Sequence, residues 1–156
     1  MEAVTAQPRV RVFEALRHRD FRLLWSGQAV SLLGDIAFLT ALGWKAFTLA
    51  GSSRLGIVLL GLAAGELATL LVGGALADRY DRRTLMLVSD VARFAIIGAL
   101  VAVDATGHLT LGILLGIALV EGLATGFFTP ALGGLIPLVV EEPRLGSANA
   151  LIGMAR

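Results

Sequence analysis

Three carboxylates stand where an apolar chain tolerates them least. Asp35, Glu66 and Glu121 each interrupt a long apolar run. A charged group at bilayer depth costs about 2.5–3.5 kcal/mol on insertion scales, so each needs a reason to be there. Asp35 is 13 residues from Arg22, Glu66 is 12 from Asp78, and Glu121 is 12 from Leu109. At about 1.5 Å per residue of helix, each lies roughly 18–20 Å from one end of its run. The three acids thus share one depth, not far from a bilayer midplane. No lysine or arginine is expected at quite that level; Arg93, ten residues beyond Arg83, comes closest. Gln28, Ser31 and Asp35 recur at i, i+3 and i+7, so they form a polar stripe on one helix face. Two readings of the acids stand side by side. They stay protonated and hydrogen-bond helices together, or they titrate a proton or balance the charge of a cationic small molecule.

The densest charge in the interior of the chain is elsewhere. Gly74 opens the stretch G-A-L-A-D-R-Y-D-R-R, which packs three arginines and two aspartates into residues 78–83. It ends one apolar run and begins another, as a short polar turn between two spanning helices would. Asp90 and Arg93, three residues apart on the next segment, either form a pair within one helix or join Asp78, Arg79 and Arg82 in a charge network. Catalytic signatures are missing: there is no Ser/His/Asp set, no His-x-x-x-His and no phosphate-cradling loop. No cysteine is present, which excludes disulfides and thiolate metal sites. The arginines flank apolar runs and make no nucleic-acid surface. His108 takes no role. An enzyme, a metal site and a bound cofactor are therefore not expected.

These residues need elements to carry them. The chain has 156 residues, 56% of them hydrophobic, and the mean hydropathy is +0.82. Soluble domains rarely exceed about half apolar. Four runs reach the roughly 20 residues that a spanning helix needs, over about residues 21–49, 55–77, 84–103 and 109–128. The expected class is an all-α membrane protein. Trp25 and Trp44 sit 19 residues apart near the ends of the first span, as interfacial aromatics do, and Lys45 beside Trp44 can snorkel outward. Gly51, Ser52 and Ser53 suggest a tight turn. Gly61-x-x-x-Gly65 on the second span permits close helix packing in lipid. Pro130 stands just beyond the fourth span, and residues 131–146 read as a surface connection. A fifth apolar helix begins near Ser147.

Residues 1–20 hold no apolar core before a cleavage site, so the first span is expected to stay uncleaved. They carry Arg9, Arg11, Arg17 and Arg19 among Val10, Val12, Phe13 and Leu16. They form an amphipathic lead-in on the membrane surface or serve as a plain topogenic signal. With Arg22 this segment has five arginines and the charged turn three, whereas the first-to-second turn has Arg54 alone and the third-to-fourth none. Positive charge accumulates on the inside, so both ends and the charged turn are expected to be cytoplasmic.

Gly74-x-x-x-Asp78-Arg79-x-x-Arg82-Arg83, between a second and a third span, resembles the signature loop of the major facilitator superfamily, G-x-x-x-D-R-x-G-R-R. Asp81 stands where that pattern has glycine, which adopts left-handed backbone more readily. The stretch F-R-L-L-W-S-G-Q-A-V-S-L-L-G-D (21–35) resembles the first span of the drug- and siderophore-exporting branch. F-F-T-P-A-L (127–132), Ile136-Pro137 and Ala148-Asn149-Ala150-Leu151 resemble it too. The resemblance implies part of the N-terminal half of a carrier with about a dozen spans, whose further helices would be its partners beside the bilayer. It implies proton-driven export of small molecules across the cell membrane by alternating access. It makes Asp35 and Glu121 cavity residues, because first and fourth spans line the cavity in that family, and puts Glu66 nearer the interface with the other half. It assigns the charged turn and the Asp90–Arg93 network to a latch on the cytoplasmic side. In isolation the Gly61–Gly65 face would then be left toward lipid or a foreign partner. The competing readings are a short membrane scaffold that only binds partners, or an inactive truncated product.

Overall fold

The computed structural model describes residues 15–77, 79–140 and 145–154. Every regular element among them is helical. After a short 3₁₀ turn over Ala15–Arg17 come α1 (Arg19–Ala50), α2 (Ser52–Ala77), α3 (Arg82–Ala105), α4 (Leu111–Val139) and α5 (Leu145–Met154). Four of these helices are long and apolar enough to cross a membrane. At 32 residues α1 extends about 48 Å, longer than a hydrocarbon core of about 30 Å. The expected lead-in falls mostly outside the described residues.

The turns follow from local chemistry. Gly51 alone separates α1 from α2, with φ of 76°, a conformation that favours glycine. Ser52 and Ser53, expected in the turn, already belong to α2. Gly107 supplies the second left-handed position, at φ of 72°, between α3 and α4. Among the described residues of the charged turn, 79–83, none is left-handed. Asp81 has φ of −59° and ψ of 119° and serves as the N-cap of α3: its carboxylate accepts from the Thr84 backbone N–H at 2.9 Å and from the Thr84 hydroxyl at 2.8 Å. Glycine is therefore unnecessary there, and the aspartate satisfies a donor that the helix start leaves open.

The fourth helix corrects the expected boundary. It runs to Val139 instead of stopping near Phe128, so residues 131–139 are helix and not a surface connection. Pro130 and Pro137 each remove one backbone donor without ending it. Spanning helices tolerate this where neighbours cover the freed carbonyl. The carbonyl four residues before Pro130 is that of Gly126. A Cβ added to Gly73 of α2 would meet it at 2.9 Å, so only a glycine lets α2 come so close.

The chain forms two compact units. One comprises residues up to Leu32 together with those from Ile136 on; in it α5 packs on the 3₁₀ turn, and Trp25 donates from Nε1 to the Leu151 carbonyl at 3.2 Å. The other unit, Leu33–Leu135, holds α2, α3 and most of α1 and α4. Its apolar core is Phe38, Leu42, Ala46, Val58, Leu100 and Leu114 with their neighbours, drawn from all four helices.

Within this second unit α2 and α4 run parallel along a seam of small residues. Gly61 faces Leu115, Gly65 faces Leu119 and Gly122, and Thr69 donates to the Leu123 carbonyl at 2.9 Å. A Cβ on Gly65 would meet the Leu123 nitrogen at 2.8 Å. The Gly61–Gly65 face is thus covered by α4 and does not face lipid. Gly74, the glycine of the signature loop, has open space where a side chain would stand.

Candidate functional site

Arg93 organises the charges of the second unit. It projects from α3, and its side chain is 8% exposed. Its Nε donates to Glu121 Oε1 of α4 at 3.0 Å. One terminal nitrogen pairs with Asp35 Oδ1 of α1, and the other lies 3.7 Å from Asp90 Oδ1 on its own helix. Its guanidinium carbon also stands 5.9 Å from the ring centroid of Phe128, within cation–π range. Three carboxylates from three helices therefore share one guanidinium, whose planar fork suits several acceptors at once.

The sequence expectation placed no cation at the depth of the acids. The structure corrects this: the long arginine side chain carries its charge from its own level to that of Asp35 and Glu121. The Asp90–Arg93 pair is present, as one contact of a larger set. Glu66 stands apart. It is half-buried on α2, and among the described residues no ion pair reaches it. The equal depth of the three acids thus conceals a difference in surroundings.

Glu121 is the most enclosed of the group, at 2% exposure, and its Oε2 has no hydrogen-bond partner among the described residues. Asp35 and Asp90 are more open, with side chains 38% and 42% exposed. The cluster therefore has a closed end at Glu121 and an open end at the aspartates. Among the described residues three carboxylates stand around one guanidinium, and of the three only Glu121 is buried.

The rest of the polar stripe lies in the first unit. Gln28 is 6% exposed, its Oε1 without a hydrogen-bond partner among the described residues, and Ser31 is half-buried. In the charged turn Asp78 lies outside the described residues, whereas Arg79 and Tyr80 are exposed. Arg82 donates to the Gly134 carbonyl of α4. Lys45, expected to snorkel, instead pairs with Asp104 at the far end of α3, at 2.6 Å. Three features escaped the sequence reading: the reach of Arg93, the Arg82–Gly134 contact, and the bond from buried Ser89 to the Ala124 carbonyl at 2.6 Å. The repeat Gly122-x-x-x-Gly126, which answers Gly61-x-x-x-Gly65, was the available signal that α4 packs closely.

Four helices of spanning length define the class: a multi-pass α-helical membrane protein. Residues 11–155 match the profile of the transmembrane secretion effectors, and the chain belongs to that family of the major facilitator superfamily. It is 30% identical to macrolide efflux protein A of Streptococcus pyogenes, over 80% of this chain and 31% of the relative. The same-named protein of a serotype M6 strain aligns equally, at 30%. The chain thus spans about a third of the length of the curated relatives it matches. No solved structure matches it significantly.

Proposed function

We propose that this chain forms part of the N-terminal half of a secondary active exporter. The carrier moves small molecules out of the cell by alternating access and is driven by protons. The carrying observation is the Asp35–Arg93–Glu121 cluster, set at mid-span in a chain of the secretion-effector family. Carboxylates grouped around one arginine can take up a proton on one side of the membrane and release it on the other. A cationic substrate would offer the same charge. The relatives' name makes a macrolide the first substrate to try. Asp35 is the exchanging acid, since it lies at the open end of the cluster; Glu121 is second and Glu66 third. Gln28 and Ser31 extend the same face of α1. The N-terminus, the charged turn and its latch are cytoplasmic, in the cell membrane.

The test uses the complete carrier in inverted membrane vesicles. A proton gradient, acid inside, should drive macrolide uptake, and a protonophore should abolish it. Asp35→Asn should remove gradient-driven uptake while leaving the amount of carrier in the membrane unchanged. Uptake indifferent to the gradient would exclude proton coupling. No uptake of any macrolide or dye would exclude export.

A further inference from the structure

The start of α1 carries positive charge that its surroundings do not neutralise. Arg17 closes the 3₁₀ turn, and Arg19 and Arg22 lie in the first turn of α1. All three are exposed, and among the described residues none of them forms an ion pair. Asp20, also exposed, is the one acid of that turn. The helix gains nothing from these cations, since a helix start carries positive partial charge and favours anions. The far end of α1 is different: its cation, Lys45, is paired with Asp104 at 2.6 Å.

Depth and direction add a second argument. Arg22 stands three residues before Trp25 and Arg19 six, or about 4.5 and 9 Å of helix. A bilayer of about 40–45 Å around a core of about 30 Å leaves a headgroup layer of about 5–8 Å on each side. With Trp25 at the boundary, the arginines fall at the level of the lipid phosphates, and their long side chains can keep the charge there. They also lie off the packed face of the helix. Phe21 is fully buried, Trp25 bonds to Leu151 of α5, and Gln28 is 6% exposed, at i, i+4 and i+7. Arg19 and Arg22 share another face with Leu23 and Val30, which are 59% and 70% exposed. Cations at headgroup depth are thus continued, on one face, by apolar side chains at acyl-chain depth.

We propose that Arg17, Arg19 and Arg22 bind the phosphate of an anionic phospholipid whose acyl chains lie along Leu23 and Val30. A guanidinium can meet a phosphate through two parallel N–H···O bonds, a geometry that an ammonium does not copy. A free phosphate would satisfy the arginines but not the apolar stretch beside them. The inference needs only the membrane class and stands apart from the exporter reading. It also differs from a topogenic signal, which acts during insertion and requires charge alone.

The test uses the complete protein in nanodiscs, with a fluorophore on a single cysteine at Ser26, which is exposed on the same face. Brominated lipid quenches the fluorophore by contact. Brominated phosphatidylglycerol, as a minor component in phosphatidylcholine, should be favoured about fivefold or more over brominated phosphatidylcholine, the preference that one arginine near an anionic surface supplies. High salt should reduce the preference, and Asp20→Asn should raise it. Changing all three arginines to glutamine should abolish it. Changing them to lysine, which preserves the charge needed for insertion, should leave an intermediate value and keeps the test decisive if the glutamine variant does not fold. A fluorophore at exposed Thr48, near neutralised Lys45, should show no preference. Equal quenching by both lipids at Ser26, a wild-type preference in the glutamine or lysine variant, or the same preference at Thr48 would each overturn the proposal. So would quenching by neither lipid, which would mean that other helices cover this face. Loss of the preference on adding inorganic phosphate at constant ionic strength would overturn it too, making the patch a site for a free anion.

Discussion

Removing Arg93 should unbalance the buried cluster more than any other single change. Arg93→Met keeps much of the side-chain length and apolar bulk but leaves Asp35, Asp90 and Glu121 facing one another. Removing one partner of a buried ion pair costs about 3–5 kcal/mol. The low end applies here, because Asp35 and Asp90 are 38% and 42% exposed and their charges are partly screened. Glu121, whose side chain is only 3% exposed, carries most of the cost. For a chain of this size 1 kcal/mol moves the midpoint by about 2–4 °C. The purified protein should therefore melt roughly 6–12 °C lower, followed by tryptophan fluorescence. Adding Glu121→Gln should recover more than half of that loss, since a neutral amide needs no counter-charge. Glu121→Gln alone should cost less than Arg93→Met, because Arg93 keeps both aspartates. A midpoint within about 2 °C of wild type for Arg93→Met, or no recovery in the double variant, would refute a cluster held together by the Arg93 charge.

Other outcomes follow from the fold. Cysteines at Ser52 and His108 should label with an impermeant reagent from outside the cell and one at Tyr80 should not; the reverse pattern would invert the orientation. His108 is preferable to Gly107, whose φ of 72° resists a side chain. Gly65→Ala should destabilise the protein by about 1–3 kcal/mol through forced separation of α2 and α4, whereas Gly56→Ala, where a Cβ meets nothing, should be close to neutral in the same melting assay. The Asp81 carboxyl is held below its ordinary range, first by the Thr84 hydroxyl and then by the Thr84 backbone N–H. A lowered folded-state pKa stabilises the start of α3 above the unfolded pKa and loses that contribution as pH falls through the folded value. Hydrogen exchange at Thr84 should accordingly quicken on acidification relative to the middle of α3, and Asp81→Ala should abolish that pH dependence.

The helical class, the four spans and the family were legible because each rests on a signal spread along the chain: apolar run length, interfacial tryptophans and a ten-residue loop pattern. What was not legible rests on direction and reach. Spacing along α1 places Gln28, Ser31 and Asp35 on one face, but it does not say that Arg93 on another helix extends to that level. Depth counted from Cα positions treated Asp35, Glu66 and Glu121 alike, yet only two of them meet the guanidinium. Pro130, expected just beyond the fourth span, lies inside α4, and the carbonyl it frees lies against Gly73. Asp81 was weighed as a misfit for a left-handed glycine, whereas the turn uses its side chain as a cap.

These particulars converge on α4. It meets α2 through a seam whose backbones approach too closely for any side chain at Gly65, Gly122 or Gly126. It meets α3 through three polar contacts, from Arg93, Ser89 and Arg82. The first kind of contact fixes how near α4 sits, since dispersion is lost steeply with separation. The second fixes its rotation and axial position, since hydrogen bonds fail once their geometry drifts. A carboxylate as enclosed as Glu121 has little freedom of its own to seek a partner, so its position is inherited from the helix. Whatever moves α4 by a fraction of a turn must therefore change what Glu121 meets. A shift of α4 relative to α3 would therefore be felt both at Glu121 and at the contact of Arg82 with Gly134, about 20 Å further along the helix.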